Sequence, residues 1–277
     1  MNASIPQLGS LSSELAIRIE QVEAEMWKQY WSSVSPSQAF ELGMHHEVVG
    51  SGVALMMEKI PNWFFNRVIG LGIDTAVTLD QIHYLQSLYR NKGLPLGISF
   101  SPHAQPSNLP HSLEEMGFEN ALDWVKMVRG VQAPMEVKTD LRIEPVAPHQ
   151  WDTATDVLLQ GFEMPPMLRP MFASVLGNPQ NHIFMMWDGD KAVALGILSL
   201  FDGIGHLNSA ATLPEYRGRG AQGALMAQRI KHGIELGCEL FVTETGYLPD
   251  QKNPSLQNMI RNGFELAYMR PNYVVNP

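Results

Sequence analysis

The residues from 212 to 230, "TLPEYRGRGAQGALMAQRI", set the tightest constraint on the fold. An apolar, strand-like run ends at Leu213, and residues 217–223 then carry two arginines and three glycines. Gly223, Ala227, Ile230, Ile234 and Cys238 recur at helical spacing, so a helix is expected to start near 218–221 and to end near Gly237. The first N–H groups of a helix lack an internal acceptor. Gly218 and Gly220 let an anion approach the backbone without a Cβ in the way, and Arg217 and Arg219 add positive charge to a helix end already suited to anions. Strand, glycine turn and helix in that order predict an α/β layer that seats a pyrophosphate.

The loop is not a P-loop, because no Gly-Lys-Ser/Thr follows it. Gly218, Gly220 and Gly223 also lack an evident acidic ribose partner, although Glu239 and Glu244 fall near the usual distance of a dinucleotide fingerprint. After the helix, "ELFVTET" (239–245) reads as a buried strand, since its apolar residues run without alternation. "NPSLQNMIRNGF" (253–264) reads as a helix ending at Gly263, and "ELAYMRPNYVV" (265–275) as a last strand.

The rest of the chain has the same syntax. Residues 10–32 form an amphipathic helix on Leu15, Ile19, Val22 and Met26; 45–61 is strand-like with a Gly-Ser-Gly kink; 66–72 is a short strand. Residues 78–93 form a helix capped by Thr78 and ended by Gly93; 94–102 is a strand, 112–118 a short helix and 121–130 a strand. A polar, proline-bearing stretch at 133–140 marks a domain boundary. Strand 141–147 and helix 148–162 follow, then a Pro- and Met-rich segment to Gly177, a hairpin over 182–203 turning at Asp188-Gly189-Asp190, and strand 205–213. "SLEEMGFENALDWVKMVRG" (112–130) and "SLQNMIRNGFELAYMRPNY" (255–273) repeat one order, which predicts two related domains at 1–135 and 139–277.

"LPEYRGRGAQGAL" resembles the acyl-coenzyme A binding segment of the GCN5-related N-acetyltransferases (GNAT superfamily), whose pattern is Arg/Gln-x-x-Gly-x-Gly/Ala after a strand and at a helix start. Here Arg217-Gly218-Arg219-Gly220-Ala221-Gln222 fills it, with Gln222 in place of Gly or Ala and Gly223 next. The resemblance covers roughly 140–277. It implies a tandem pair of GNAT-like α/β domains, each a mixed twisted sheet with flanking helices, the second holding acetyl-coenzyme A as co-substrate. It also implies that the backbone of Ala211, Thr212 and Leu213 meets the pantetheine like an added strand, and that Asn253, Ser255 and Asn258 lie near the pantetheine or adenine end. The buried strand at 239–245 would splay from its neighbour to admit the pantetheine. The implied reaction is transfer of an acetyl group to an amine by direct attack in a ternary complex.

Many members of that family carry a tyrosine in the second helix as general acid; Met259 and Ile260 stand in that region here. Tyr247, Tyr268 or water are the alternatives. Glu244 is the first choice of general base, with Asn208 and His206 on the preceding strand second; Glu244 equally reads as an exposed strand-end charge. The first half carries no glycine–arginine loop: Gly70 and Gly72 lead to a helix with Asp74 and Asp80 beside its start, carboxylates that compete with an anion, so this half is expected not to bind coenzyme A but to shape the acceptor site.

Composition enters as exclusion. A formal net charge of -9 argues against nucleic acid as partner. No apolar run approaches the roughly 20 residues of a membrane span, no basic-then-apolar leader opens the sequence, and the one cysteine, Cys238, suits a reducing cytoplasm. His45, His46 and Glu47 are adjacent strand residues facing alternate sides, so no metal is expected. The methionines read as packing residues or as the lining of an acceptor pocket, and Trp27, Trp31 and Trp63 as core or interface residues. The expected partner is a small-molecule or peptide amine, the expected state a monomer or homodimer. Two other readings stay open: a non-catalytic acyl-coenzyme A sensor, and a nucleotide-binding protein using the same anion seat.

Overall fold

Thr78 shows how local chemistry starts these elements. Its hydroxyl accepts from the Gln81 N–H at 3.2 Å while the Gln81 side chain accepts from the Thr78 N–H at 2.9 Å, a closed capping box at the head of a twelve-residue helix. The computed structural model describes residues 5, 9, 11–249 and 251–277. In chain order the elements are α1 (Ser13–Ser32), α2 (Pro36–Leu42), β1 (Met44–Val49), β2 (Gly52–Met57), β3 (Arg67–Ile69), α3 (Leu79–Arg90), β4 (Leu96–Ser99), α4 (Leu109–Glu115) and β5 (Glu119–Arg129). There follow β6 (Arg142–Pro145), α5 (Trp151–Gly161), α6 (Arg169–Leu176), β7 (Asn181–Asp188), β8 (Lys191–Phe201), β9 (Ile204–Thr212), α7 (Ala221–Glu235), β10 (Leu240–Tyr247), α8 (Pro254–Arg261) and β11 (Glu265–Val275).

These residues divide into two compact units that are not linear in sequence. The first comprises Gly9–Lys126 with Gly246–Gln251 and Ala267–Pro277; the second comprises Met127–Thr245 with Lys252–Leu266. In the first unit the strand order is β1-β2-β3-β4-β11. β1 and β2 are antiparallel, as are β2 and β3, whereas β3 and β4 are parallel, joined through α3. β11 closes the edge of β4 antiparallel, with Tyr273 opposite Ile98. Ile82, Leu85 and Tyr89 of α3 pack on Ala54, Val68, Leu96 and Ile98.

The second unit has the order β6-β7-β8-β9-β10. Its first four strands run antiparallel, and β9 and β10 are parallel, joined through α7. Ala221, Ala224 and Leu225 of α7 pack on Phe184, Met186, Val193 and Ala194. Each unit thus carries a strand–turn–helix–strand crossover in a mixed sheet, the parallel pair requiring the helical connection.

Several local readings change. The Gly-Ser-Gly stretch is a hairpin turn between β1 and β2, made by Gly50 at φ 59°, rather than a kink in one strand. The short helix of the first unit begins three residues early, at Leu109, where Pro110 presets its first turn. The Pro- and Met-rich segment contains α6, which buries Met171, Phe172, Val175 and Leu176; Met167 stays exposed. Trp31 is buried in the first unit and its indole N–H donates to the Met56 carbonyl at 3.1 Å. Trp27 packs edge-on against Tyr30, Trp31 and Phe64.

Candidate functional site

Where β9 meets α7, the backbone does what the glycines permit. Gly218 has φ 85° and Gly220 φ 78°, both in the left-handed region. Gly220 is the residue before α7 and so brings no side-chain cap. The leading N–H groups of α7 therefore have no side-chain cap, whereas the capping box of α3 occupies the Gln81 N–H. A Cβ on Gly220 would sit 3.0 Å from the Lys138 carbonyl, whereas one on Gly218 would meet nothing within 4 Å. The polar stretch at 133–140 is thus a wall of the site: the Thr139 hydroxyl donates to the Arg219 carbonyl at 3.1 Å.

A cleft of about 690 Å³ opens in front of this helix end. Ala211, Thr212, Arg217, Gly218, Gly220, Ala221, Gln222, Gly223 and Asn258 line it, and all were expected there. Val137, Gly161, Ala210, Tyr216, Pro254, Arg261 and Asn262 line it too, and the sequence did not single them out.

Four expected residues do not line the cleft. Arg219 turns from the cleft: its guanidinium is held by Asp188 at 2.8 Å and by Asp140, and lies over the Tyr216 ring at 5.5 Å. The Arg219 guanidinium holds both carboxyls below the usual carboxylate range and is itself held charged. Leu213 is buried, its N–H donates to the Val193 carbonyl and its carbonyl accepts from the Tyr216 N–H, each at 2.9 Å. Asn253 caps α8, accepting from the Leu256 N–H at 3.0 Å, and Ser255 is half-buried beside it, neither lining the cleft. Arg217 does reach the cleft, with long contacts of 3.4 Å to the carbonyls of Thr212 and Gly161.

β9 and β10 pair over three residues, from Ile204–Leu240 to His206–Val242, and their ladder then stops. At the point of divergence the Thr243 hydroxyl donates to the Leu207 carbonyl at 2.9 Å. On its other side β9 stays paired with β8, but the register shifts: Leu195 faces Ala211 and Ile197 faces Asn208. Ser209 and Ala210 therefore share one partner, Gly196, and form a bulge with Ser209 at φ 44°.

Among the catalytic candidates, Glu244 is half-buried on β10, just past the divergence. Asn208 opens the bulge, and its amide donates to the Ser199 hydroxyl at 2.8 Å; Ser199 donates to Asn181 at 2.6 Å. His206 is buried within the paired part of β9. Tyr247 falls in the first unit. So does Tyr268, whose buried hydroxyl donates to Glu20 at 2.6 Å; burial, reinforced by the Glu20 carboxylate, pushes that phenol well above its usual range. Met259 is buried in α8. Among the described residues no group of three or more His, Cys, Asp or Glu could hold a metal ion, and no helix is long and apolar enough to cross a membrane.

One side chain beneath the bulge escaped the sequence reading. Arg229 is buried on α7 and donates from Nη1 to the carbonyls of Ile197 at 2.9 Å and Asn208 at 3.2 Å, and from Nε to Leu225 at 3.1 Å. The signal was available: 221, 225 and 229 form an i, i+4, i+8 row facing the sheet.

Residues 146–264 match the model of the acetyltransferase (GNAT) family. No curated protein matches the chain. Among solved structures it is similar to a GCN5-related N-acetyltransferase from Kribbella flavida, with a TM-score of 0.64 at 15% identity over 94% of this chain and 96% of that one. A GCN5-related N-acetyltransferase from Sphaerobacter thermophilus gives 0.64 at 12% identity over 96% and 94%. A tandem GNAT protein from the clavulanic acid biosynthesis pathway gives 0.63 at 11% identity over 98% and 97%. At these identities the likeness speaks for the fold, which is that of two tandem GNAT-like units.

Proposed function

Because residues 146–264 are a domain of the acetyltransferase (GNAT) family, we propose that this chain transfers an acetyl group from acetyl-coenzyme A to the amine of a small molecule or peptide. The observation that carries the reading is the uncapped head of α7 at Gly220, opening into the cleft beside the point where β9 and β10 part. The fold supports acyl transfer in general.

The uncapped N–H groups at the head of α7 and the Arg217 guanidinium suit a pyrophosphate. The β9–β10 ladder ends at His206, and the stretch of β9 that follows suits the amides of a pantetheine arm. When bound, acetyl-coenzyme A would supply the activated thioester. Glu244, past the divergence, is the proposed base: it takes the proton from the ammonium group so that the neutral nitrogen attacks the carbonyl carbon, the C–S bond breaks, and the coenzyme A thiolate leaves with the proton that the acylated nitrogen sheds. Backbone N–H groups of the bulge are proposed to hold the carbonyl oxygen as it gains charge. A reducing cytoplasmic setting agrees with the single buried thiol of Cys238.

The test is titration with acetyl-coenzyme A, coenzyme A and NAD, followed by thiol release with a panel of amines. Binding of both coenzyme A forms but not NAD, with amine-dependent thiol release, is expected; preference for NAD would overturn the reading. Glu244→Gln is expected to lower kcat by roughly 10²-fold and to raise the apparent pKa of the rate profile. An unchanged profile removes Glu244 from the mechanism. Buried Met259, in the region where many relatives have a tyrosine, favours a second reading, a non-catalytic acyl-coenzyme A sensor. Binding without thiol release for every amine would select it.

A further inference from the structure

We infer that Arg229 is a positioning residue for the acyl group: it holds the β9 bulge in the shape that aims the backbone donors of Ser209–Ala211 at the thioester carbonyl. This rests on the coenzyme reading above.

A bulge disturbs the ladder on either side of it. Here the pair beside the register shift is Ile197 on β8 facing Asn208 on β9, and Nη1 of Arg229 donates to the carbonyls of both. The guanidinium gets there because β8 has glycine opposite the bulge. A Cβ on Gly196 would lie 2.8 Å from Cζ of Arg229 and 2.9 Å from Nε. Ser209 completes the set with its left-handed backbone at φ 44°, a conformation that costs a non-glycine residue energy unless its surroundings enforce it. Gly196, Ser209 and Arg229 are therefore mutually dependent, and Ala210 and Ala211, the next residues of β9, line the cleft.

The side chain is also an unusual choice for mere packing. Arg229 is 1% exposed and has no ion-pair partner among the described residues; its polar contacts are backbone carbonyls. Burial pushes its pKa down to about 9. A charge held this way needs a reason, since an apolar residue of equal volume would avoid the desolvation cost. Donation to the Asn208 carbonyl polarises the Asn208–Ser209 peptide and strengthens its N–H as a donor. A carboxylate beside the guanidinium would cancel that effect.

The experiment compares the affinity of the full chain for acetyl-coenzyme A and for coenzyme A, by calorimetry, in wild type, Arg229→Met, Arg229→Lys and Gly196→Ala. The two ligands share the pyrophosphate and pantetheine and differ in the acetyl group that replaces the thiol proton, so the change in their affinity ratio from wild type to variant reads the acyl site and not the rest of the cleft. Wild type is expected to favour acetyl-coenzyme A by roughly three- to tenfold, the worth of one hydrogen bond. Arg229→Met is expected to abolish the preference while coenzyme A affinity stays within about twofold, and Arg229→Lys to recover part of it. Gly196→Ala, which displaces the guanidinium without removing its charge, is expected to behave as Arg229→Met does and serves if that variant does not fold. Equal loss for both ligands, an unchanged preference in the variants, or no preference in wild type would overturn the role of Arg229 and leave the coenzyme reading standing. Failure of wild type to bind either ligand would remove both.

Discussion

The Asn258 side-chain amide donates to the Gln222 side-chain oxygen at 3.1 Å, tying the first turn of α7 to α8 through two residues that line the cleft. Gln222 is the residue of the glycine loop that departs from the family pattern, and this bond gives the departure a use. Gln222→Ala and Asn258→Ala are each expected to destabilise the chain by about 0.5–1.5 kcal/mol, the double variant by less than their sum. Denaturant titration of the four proteins measures the coupling; strict additivity would show that the bond contributes nothing.

Gly220 and Gly223 lie in one loop but answer to different constraints. Gly220→Ala meets a φ of 78° and a carbonyl at 3.0 Å, so it is expected to cost about 1–3 kcal/mol and to lower coenzyme A affinity with it. At Gly223 the nearest atom to an added Cβ is Val137 Cγ1 at 3.5 Å, an ordinary contact, and alanine suits the helix better by roughly 1 kcal/mol. Gly223→Ala is therefore expected to keep or raise Tm while weakening coenzyme A through the narrowed cleft. A fall in Tm at Gly223 comparable to that at Gly220 would refute the distinction.

The loop was legible in the sequence because its determinants are local. Gly218 and Gly220 need positive φ for reasons written within a few residues, and the helix after them follows from spacing. Arg219 was not legible in the same way. Its charge reads as part of the anion seat, yet its partners Asp140 and Asp188 lie 79 and 31 residues away and claim it. Arg229 escaped because apolar periodicity marks a polar residue as solvent-facing; only the missing Cβ of Gly196, on another strand, makes room for it. The last strand reads as a strand from its composition, but nothing local says that Ala267–Pro277 joins the sheet of the first unit. Long-range pairing is the part of a fold that sequence spacing does not encode.

The Arg219 cluster carries a pH signature. Asp140 and Asp188 both have depressed folded pKa values, chiefly through hydrogen bonds from Arg219. A depressed carboxylate contributes stability that is present above its unfolded pKa and lost as pH falls through its folded value. The Tm difference between wild type and Arg219→Ala is expected to be small, since the pairs are exposed, yet larger at pH 7 than at pH 3. A difference independent of pH would place the role of Arg219 in packing on Tyr216.

The first unit is expected to leave coenzyme A alone. The head of α3 is closed by Thr78 and Gln81, and the Gln105 carbonyl accepts from the Val77 N–H at 2.8 Å and would lie 2.7 Å from a Cβ on Gly72. Arg217→Ala is expected to weaken acetyl-coenzyme A roughly tenfold or more. Added acetyl-coenzyme A is expected to slow amide exchange at 221–224 and not at 78–82. Protection at 78–82 would assign the first unit a site of its own.

The first unit instead buries a polar core. Glu23 accepts from Arg270 Nη2 at 3.0 Å and from Lys126, Glu20 accepts from Tyr268 at 2.6 Å, and the Glu23, Lys126, Glu20 and Arg270 side chains are 0% exposed. Removing one partner of such a set leaves opposite charges buried without compensation, so Glu23→Gln is expected to cost about 3–5 kcal/mol. Tyr84→Phe, which deletes an exposed hydrogen bond to Glu47, is the control and is expected to stay within about 0.5 kcal/mol. Tyr268 adds a pH test. Its folded pKa is raised, so its contribution is full below the unfolded value, near 10, and is lost as pH rises above it. Tyr268→Phe is expected to flatten the alkaline limb of the stability curve while lowering stability at neutral pH, because Glu20 loses a donor. An alkaline limb of unchanged slope in Tyr268→Phe would show that another group governs unfolding at high pH.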